Sequence, residues 1–279
     1  MAKIITRIKD MQQFIYSLPK KSSIGFVPTM GCLHQGHLSL VGRSIQENEV
    51  TVISIFVNPA QFGINEDFNT YPRDFGQDQQ SLANYAVDVI FAPDVDEMFP
   101  EGFSTYIEVG KLSSMFCGKS RPGHFRGVST VVNKLLNIVS PHTMYMGEKD
   151  YQQILVLEKM IQDLNYSTKI VRCPLVREID GLALSSRNRY LSKRERKQAT
   201  CLSKSLFLAR KLGQQGYQLE TIKEEMKKII NQNKGLIDYL EFVNSNTFSL
   251  EKEITSATRV IIAVKIGKTR LIDNISIYE

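Results

Sequence analysis

The sequence predicts an α/β protein: a Rossmann-like parallel sheet with helices on both faces, followed by a smaller α+β domain. Three observations carry this. Through the first 175 of the 279 residues, short apolar runs alternate with segments of helical period, the signature of strands joined by crossover helices. Beyond about residue 175 the texture changes to charge-rich helical stretches and then alternating strands. Finally, the apolar run Ile24 to Val27 leads through Pro28 and Gly31 into His34-Gln35-Gly36-His37, after which Leu38, Val41 and Ile45 fall at helical spacing. Strand, tight loop and helix aim backbone N–H groups and a positive dipole end at an anion.

The elements follow in order. Residues 50–57 read as the second strand and 74–86 as a polar helix with Leu82 and Tyr85 on one side. Asp88 to Pro93 is a short buried strand ended by its proline, and 104–109 an extended piece. Val128, Val131, Val132, Leu135, Leu136 and Val139 give 127–139 a broad apolar helical face. Thr143 to Met146 is a strand, 150–164 a helix, and Lys169 to Val171 the closing strand. Residues 192–214 and 218–232 are helices, and 239–243, 259–266 and 271–277 strands. The domains expected are 1–175 and 176–279.

Composition narrows the function classes. Hydrophobic residues make up 42% and charged residues 23%, ordinary for a folded globular chain. No apolar run approaches the roughly 18–20 residues of a membrane span, and Lys3, Arg7, Lys9 and Asp10 interrupt any signal-peptide core. Cys32, Cys117, Cys173 and Cys201 lie far apart, which predicts reduced thiols and a cytoplasmic protein. The net charge of +6 gathers in runs such as Lys193 to Lys197, which read as solvated helix faces. No aromatic-rich RNA-recognition pattern accompanies them, so no nucleic-acid partner is expected.

Four stretches carry chemistry. His34 and His37, at i and i+3 around Gly36, share one side of a first helical turn, a geometry equally open to phosphate or to half a metal site. Phe56-Val57-Asn58-Pro59-Ala60-Gln61-Phe62-Gly63 leaves the second strand, with Asn58 and Gln61 at its end. It runs on through residues 65–73. Gly147-Glu148-Lys149-Asp150 follows another strand and opens a helix carrying Gln152 and Gln153. Lys149 is a cation at a helix start, unfavourable there without an anion, while Asp150 reads equally as a helix cap. In Asp180 to Asn188, an Asp-Gly turn precedes Leu184, Ser185, Ser186 and Arg187, whose hydroxyls and guanidinium suit phosphate oxygens. The common Gly-rich phosphate fingerprints are absent.

Set after a Pro-Thr-Met-Gly turn, the His-x-Gly-His resembles the nucleotidylyltransferase superfamily signature, and Ser185 to Arg187 resembles its phosphate-binding loop. With Val57 to Phe62, Tyr71-Pro72-Arg73, Val87 to Pro93, Arg121 to Gly127, Lys134 to Val139, Gly147 to Gln153 and Thr269 to Asn274, nearly the whole chain resembles the pantoate–β-alanine ligase (pantothenate synthetase) family.

That resemblance implies an ATP-dependent, AMP-forming acid–amine ligase of pantothenate and coenzyme A biosynthesis. It condenses (R)-pantoate with β-alanine through a pantoyl adenylate, releasing pyrophosphate and AMP with Mg²⁺ present. It further implies a homodimer and a C-terminal lid domain. His37 matches the family's proton donor, with His34 and Lys149 as catalytic partners. Met30, Gly31, Cys32, Leu33, His34, Gln35, Gly36 and His37 match ATP contacts, as do Gly147, Glu148, Lys149 and Asp150, and Val176, Leu184, Ser185, Ser186 and Arg187. Gln61 and Gln153 match pantoate-binding amides, Gln61 also meeting β-alanine, and Asp78 is the expected Mg²⁺ contact. Cys32, Ala60 and Met146 depart from the residues usual in the family and alter packing, not polar chemistry. Cys32 at a helix start is expected to be protected from alkylation by ATP.

Overall fold

The computed structural model describes residues 2–64 and 66–278; Asn65, in the stretch after Gln61, lies outside them, as do Met1 and Glu279. The chain forms two compact units, Met1–Pro174 and Leu175–Glu279, one residue from the expected boundary.

The first unit runs β1 (Lys3–Ile5), α1 (Ile8–Ser17), β2 (Ile24–Thr29), α2 (Gln35–Glu47), β3 (Val50–Ile55), α3 (Phe75–Leu82), β4 (Val89–Phe91), the single turns α4 (Val95–Met98) and α5 (Cys117–Ser120), α6 (His124–Val139), β5 (Thr143–Gly147), α7 (Tyr151–Asp163) and β6 (Lys169–Cys173). All pairings are parallel, in the order β1-β4-β3-β2-β5-β6. Successive strands step outward from β2 through β3 to β4, and the chain then returns to lay β5 on the other side of β2. That reversal is a topological switch point, and ligands of open parallel sheets bind beyond the strand ends there.

The central strands are continuous apolar runs because both faces are covered. Phe26, Val27, Val52 and Ile53 are fully buried, each stabilising the sheet by roughly 1.5–3 kcal/mol through burial. Tyr145 on β5 ties down the far end of α2, donating to Glu47 Oε2 (2.8 Å) and accepting from Asn48 Nδ2 (2.7 Å). Burial and Glu47 push its phenol up to about 12.

The second unit contains α8 (Lys193–Ala199), α9 (Cys201–Gln214), α10 (Leu219–Gln232), β7 (Leu236–Asn244), β8 (Thr258–Ile266) and β9 (Thr269–Ser276). The three strands form an antiparallel meander, β7-β8-β9. Leu202, Leu206, Ile222, Met226 and Ile230 pack on Phe242, Val260, Ile262 and Val264.

Several expectations need correction. β1 and α1 lie where charge interruptions hid the pattern; β1 is an edge strand with only Ile5 buried. Residues 104–109, read as an extended piece, form no strand; Ile107 N–H donates to Thr130 Oγ1 (3.0 Å) and Arg126 stacks over Tyr106. The helix expected over 192–214 divides at Thr200. Among the described residues no helix is long and apolar enough to cross a membrane.

Candidate active site

The first wall is the turn from β2 into α2. Gly31 and Cys32 both have positive φ, 76° and 52°, which reverses the chain in two residues. A side chain at Gly31 would place its Cβ 2.7 Å from Asp78 Oδ2, so glycine is required on both counts. Asp78, from α3, accepts Cys32 N–H at Oδ2 (3.0 Å) and Leu33 N–H at Oδ1 (2.7 Å). Thr29 Oγ1 accepts Gly31 N–H (3.2 Å) while donating to the Ser54 carbonyl (2.7 Å). The loop's backbone is thus pinned from below.

His34 is the N-cap of α2, and the two imidazoles stack with centroids 4.0 Å apart and planes 27° from parallel. The His34 N–H donates to His37 Nδ1 (3.3 Å). A neutral His37 therefore carries its proton on Nε2 and presents that N–H as a donor. Burial, then the positive neighbours His34 and Lys149, push His37 down to about 3, with Asp150 opposing. The side chain is half-buried, so the ring is desolvated while part of its edge stays open.

The second wall follows β3, whose full register with β2 sets Thr29 opposite Ile55. Asn58 caps the short turn Pro59–Gln61 by accepting Ala60 N–H (3.1 Å). Its amide nitrogen donates to Gln61 Oε1 (3.0 Å) and to the Gly127 carbonyl of α6 (3.1 Å). Gln61 Nε2 lies 3.1 Å from Met30 Sδ, which brings the turn against the β2 loop. Any Cβ on Gly127 would overlap the Ala60 carbonyl, so α6 presses directly on this turn.

The third wall follows β5. Gly25 pairs with Thr143 and Phe26 with Met144, which carries Gly147 level with the end of β2. A Cβ on Gly147 would meet nothing within 4 Å, leaving its backbone approachable. Lys149 pairs with Asp150 at 3.3 Å, and its charge reaches His37. Asp150 precedes α7 without a side-chain capping hydrogen bond, so the cap reading gives way to the ion pair. Gln152 and Gln153 separate on the helix. Gln152 is buried, accepting Cys117 N–H (3.1 Å) and donating to the carbonyls of Leu112 (2.9 Å) and Met115 (2.8 Å); Gln153 is half-buried.

In the second unit, Arg177 and Ala183 bridge across the turn at Asp180-Gly181, and Leu184 N–H donates to the Val176 carbonyl (3.0 Å). Ser185 Oγ accepts Arg187 N–H (3.3 Å) and starts the turn Ser186–Tyr190, with Ser186 buried. Arg177 holds the turn through a bidentate pair with buried Asp273 (2.7 and 3.0 Å).

The first unit thus gathers Met30 to His37, Asn58, Gln61 and Gly147 to Asp150 at the ends of three adjacent strands. Asp78, the expected Mg²⁺ contact, is 2% exposed, and both its oxygens accept backbone N–H groups, so it supports the loop. Cys32 is 3% exposed, poorly placed for alkylation. Among the described residues no three His, Cys, Asp or Glu side chains converge as a metal cage. Arg121 and His124, which reach the Gln61 carbonyl, and Glu66, which pairs with Arg121, carry no function in the sequence expectations; only Arg121 and His124 lie in a resembling motif.

Comparison with known proteins relates nearly the whole chain to one family. The Pantoate-beta-alanine ligase family model matches residues 3–276. Pantothenate synthetase from Thermotoga petrophila is 54% identical over 275 residues, covering 98% of each chain. That from Sulfurihydrogenibium sp. is 52% identical over 276 residues, 98% of this chain and 99% of its own. The crystal structure of the Thermus thermophilus pantothenate synthetase superposes with a TM-score of 0.95 at 42% identity, over 99% of this chain and 100% of that one. A Francisella tularensis pantoate-beta-alanine ligase, complexed with beta-gamma ATP and beta-alanine, gives 0.86 at 38% identity, over 100% and 99%.

Proposed function

The chain belongs to the pantoate–β-alanine ligase family, and on that premise we propose how its residues carry the reaction. It is a ligase that condenses pantoate with β-alanine to pantothenate with consumption of ATP. In the first of two steps, a pantoate carboxylate oxygen attacks the α-phosphorus of ATP and the bond to pyrophosphate breaks. The β-alanine amine then attacks the acyl carbon of the adenylate, AMP leaves, and the nitrogen loses a proton.

The observation that carries this reading is the stacked His34–His37 pair facing the switch point, with His37 held neutral. A neutral ring donates a hydrogen bond from Nε2 to a phosphate oxygen as charge builds, without a resident cation that would pair with the attacking carboxylate. Lys149 supplies positive charge toward the departing pyrophosphate. ATP contacts are Met30 to His37 and Gly147 to Asp150. On resemblance alone, Val176, Leu184, Ser185, Ser186 and Arg187 also bind ATP. Gln61 and Gln153 hold pantoate, and Gln61 also meets β-alanine. An amide suits this task because it bonds hydroxyls and a carboxylate while leaving the carboxylate nucleophilic.

Mg²⁺ enters with the ATP phosphates, since it commonly binds through phosphates and water and Asp78 is occupied by backbone donors. The enzyme is a cytoplasmic homodimer. The test is stoichiometry and isotope transfer: with ATP, Mg²⁺, pantoate and β-alanine, AMP and pyrophosphate form in equal amounts. Carboxylate-¹⁸O-labelled pantoate delivers label to AMP. ADP formation, or AMP without label, would overturn the adenylate. H37A should lose most turnover with the fold intact.

A further inference from the structure

We propose that Glu66, Arg121 and His124 form a positioning relay that sets the Gln61 carboxamide for pantoate and β-alanine; this rests on the substrate role of Gln61 given above.

The geometry is a chain of directed hydrogen bonds. Arg121 grips Glu66 with Nε to Oε1 (2.7 Å) and Nη2 to Oε2 (2.6 Å). Its Nη1 lies 3.0 Å from His124 Nε2, and His124 Nδ1 lies 2.9 Å from the Gln61 carbonyl oxygen. A guanidinium only donates and a carbonyl only accepts. His124 therefore accepts at Nε2 and donates from Nδ1, as a neutral ring in one defined tautomer. Arg121 Nη2 also approaches the Gln61 carbonyl at 3.4 Å. One guanidinium thus reaches both ends of the 61–66 segment: the carbonyl at its start and the carboxylate at its finish.

Burial supports a designed network over a surface ion pair. His124 is 7% exposed, and the Arg121 and Glu66 side chains are 12% and 23% exposed. Burial alone would raise the Glu66 carboxyl; the hydrogen bonds and charge of Arg121 outweigh it and hold the group below its ordinary value.

The relay acts on the one turn whose side chain faces the Met30 loop. Asn58 holds Gln61 Oε1 (3.0 Å), which leaves Nε2 directed at Met30 Sδ (3.1 Å). Sulfur is a weak acceptor, and a substrate oxygen is a better partner for that N–H₂. The backbone behind it is fixed by His124 and Arg121, so the donor is aimed before substrate arrives, which lowers the ordering cost of binding.

The test is a double-mutant cycle read by the KM of each substrate. Removing the Nδ1 donor with His124→Leu should raise the KM for pantoate and β-alanine about tenfold, the scale of one lost hydrogen bond to a positioned group, with the KM for ATP unchanged. His124→Asn keeps a donor near the Nδ1 position and should recover most of the loss. In a Gln61→Ala background, His124→Leu should add no further change. Glu66→Gln, which leaves His124 in place, should give a smaller shift in the same two constants and serves if His124→Leu does not fold. Equal changes in all three KM values, or a lower melting temperature with unchanged KM values, mean a scaffold role and overturn the relay. Additive effects in the Gln61→Ala background overturn it as well. If Gln61→Ala itself leaves both KM values unchanged, the substrate role of Gln61 fails, and the relay with it.

Discussion

A neutral His37 has a consequence measurable without any substrate. Its folded-state pKa is about 3, against 6.5 for an unperturbed ring. The sign follows from proton counting. At pH 7 the folded ring is unprotonated and the unfolded ring mostly so, and nearly the full stability is present. As pH falls below 6.5, the unfolded chain protonates this ring and the folded protein does not, so stability is lost until pH reaches the folded value. At about pH 4.5 the expected loss from this group is about 2–3 kcal/mol, from two units at 1.36 kcal/mol each. His37→Gln removes the titration while keeping a polar side chain. Urea unfolding of both proteins at pH 7 and 4.5 should show the wild type losing about 2–3 kcal/mol more than the variant on acidification. All other groups, His34 included, are common to both and cancel to first order. Equal losses in the two proteins, or an imidazole resonance of His37 titrating near its ordinary value, would refute the claim that burial and the positive charges of His34 and Lys149 keep this ring unprotonated.

Three further outcomes follow from single contacts. Lys149→Met should raise the KM for ATP about tenfold or more by removing a charge near the leaving group, with melting temperature little changed; an unaltered KM would remove Lys149 from the phosphate site. Asp78→Asn turns one of two buried acceptors into a donor facing a backbone N–H, and should cost about 2–4 kcal/mol in urea unfolding. If Asp78 only met Mg²⁺, stability would stay put and the Mg²⁺ dependence of turnover would move. Gly127→Ala forces α6 away from Ala60 and should cost about 1–3 kcal/mol with reduced kcat; wild-type stability would show that the Pro59–Gln61 turn yields freely.

The parallel sheet was legible because its central strands are unbroken apolar runs: β2, β3 and β5 are covered on both faces, so their hydrophobicity is continuous. β1 escaped notice for the complementary reason. It lies at the sheet edge with two exposed residues out of three, and a strand so short has no period to detect. The segment over 104–109 reads as extended and joins no sheet; an extended pattern says nothing about pairing. In the site, the placement of the histidines, Lys149 and Gln61 after the ends of strands was legible from residue type and order. The loop bonds of Asp78 were not, because a carboxylate that organises backbone N–H groups and one that meets a cation look identical in sequence. His124 was hidden similarly: its partner is a main-chain carbonyl, and main-chain atoms carry no residue identity. Gln152 and Gln153 show the limit most plainly. They are neighbours of the same type, and the helical step alone sends one amide into the loop at 112–117 and leaves the other half-buried.

The arrangement also separates two electrostatic demands of the proposed reaction. An attacking carboxylate loses nucleophilicity when paired with a cation, while a departing pyrophosphate needs positive charge. The turn after β3 offers an amide, Gln61, with Asn58 on its side chain and His124 and Arg121 on its carbonyl. Glu66 balances the one guanidinium behind it. The segment after β5 offers Lys149, and His37 stands between as a neutral donor. The depression of His37 is part of this division. A ring already protonated would attract the pantoate carboxylate as strongly as the phosphate, whereas a neutral Nε2–H strengthens its bond only as the phosphate oxygen gains charge. A variant that raised the His37 pKa, for example Lys149→Glu, should therefore bind pantoate no worse yet turn over more slowly; equal or faster turnover with a demonstrably protonated His37 would mean the ring's neutrality plays no part in the chemistry.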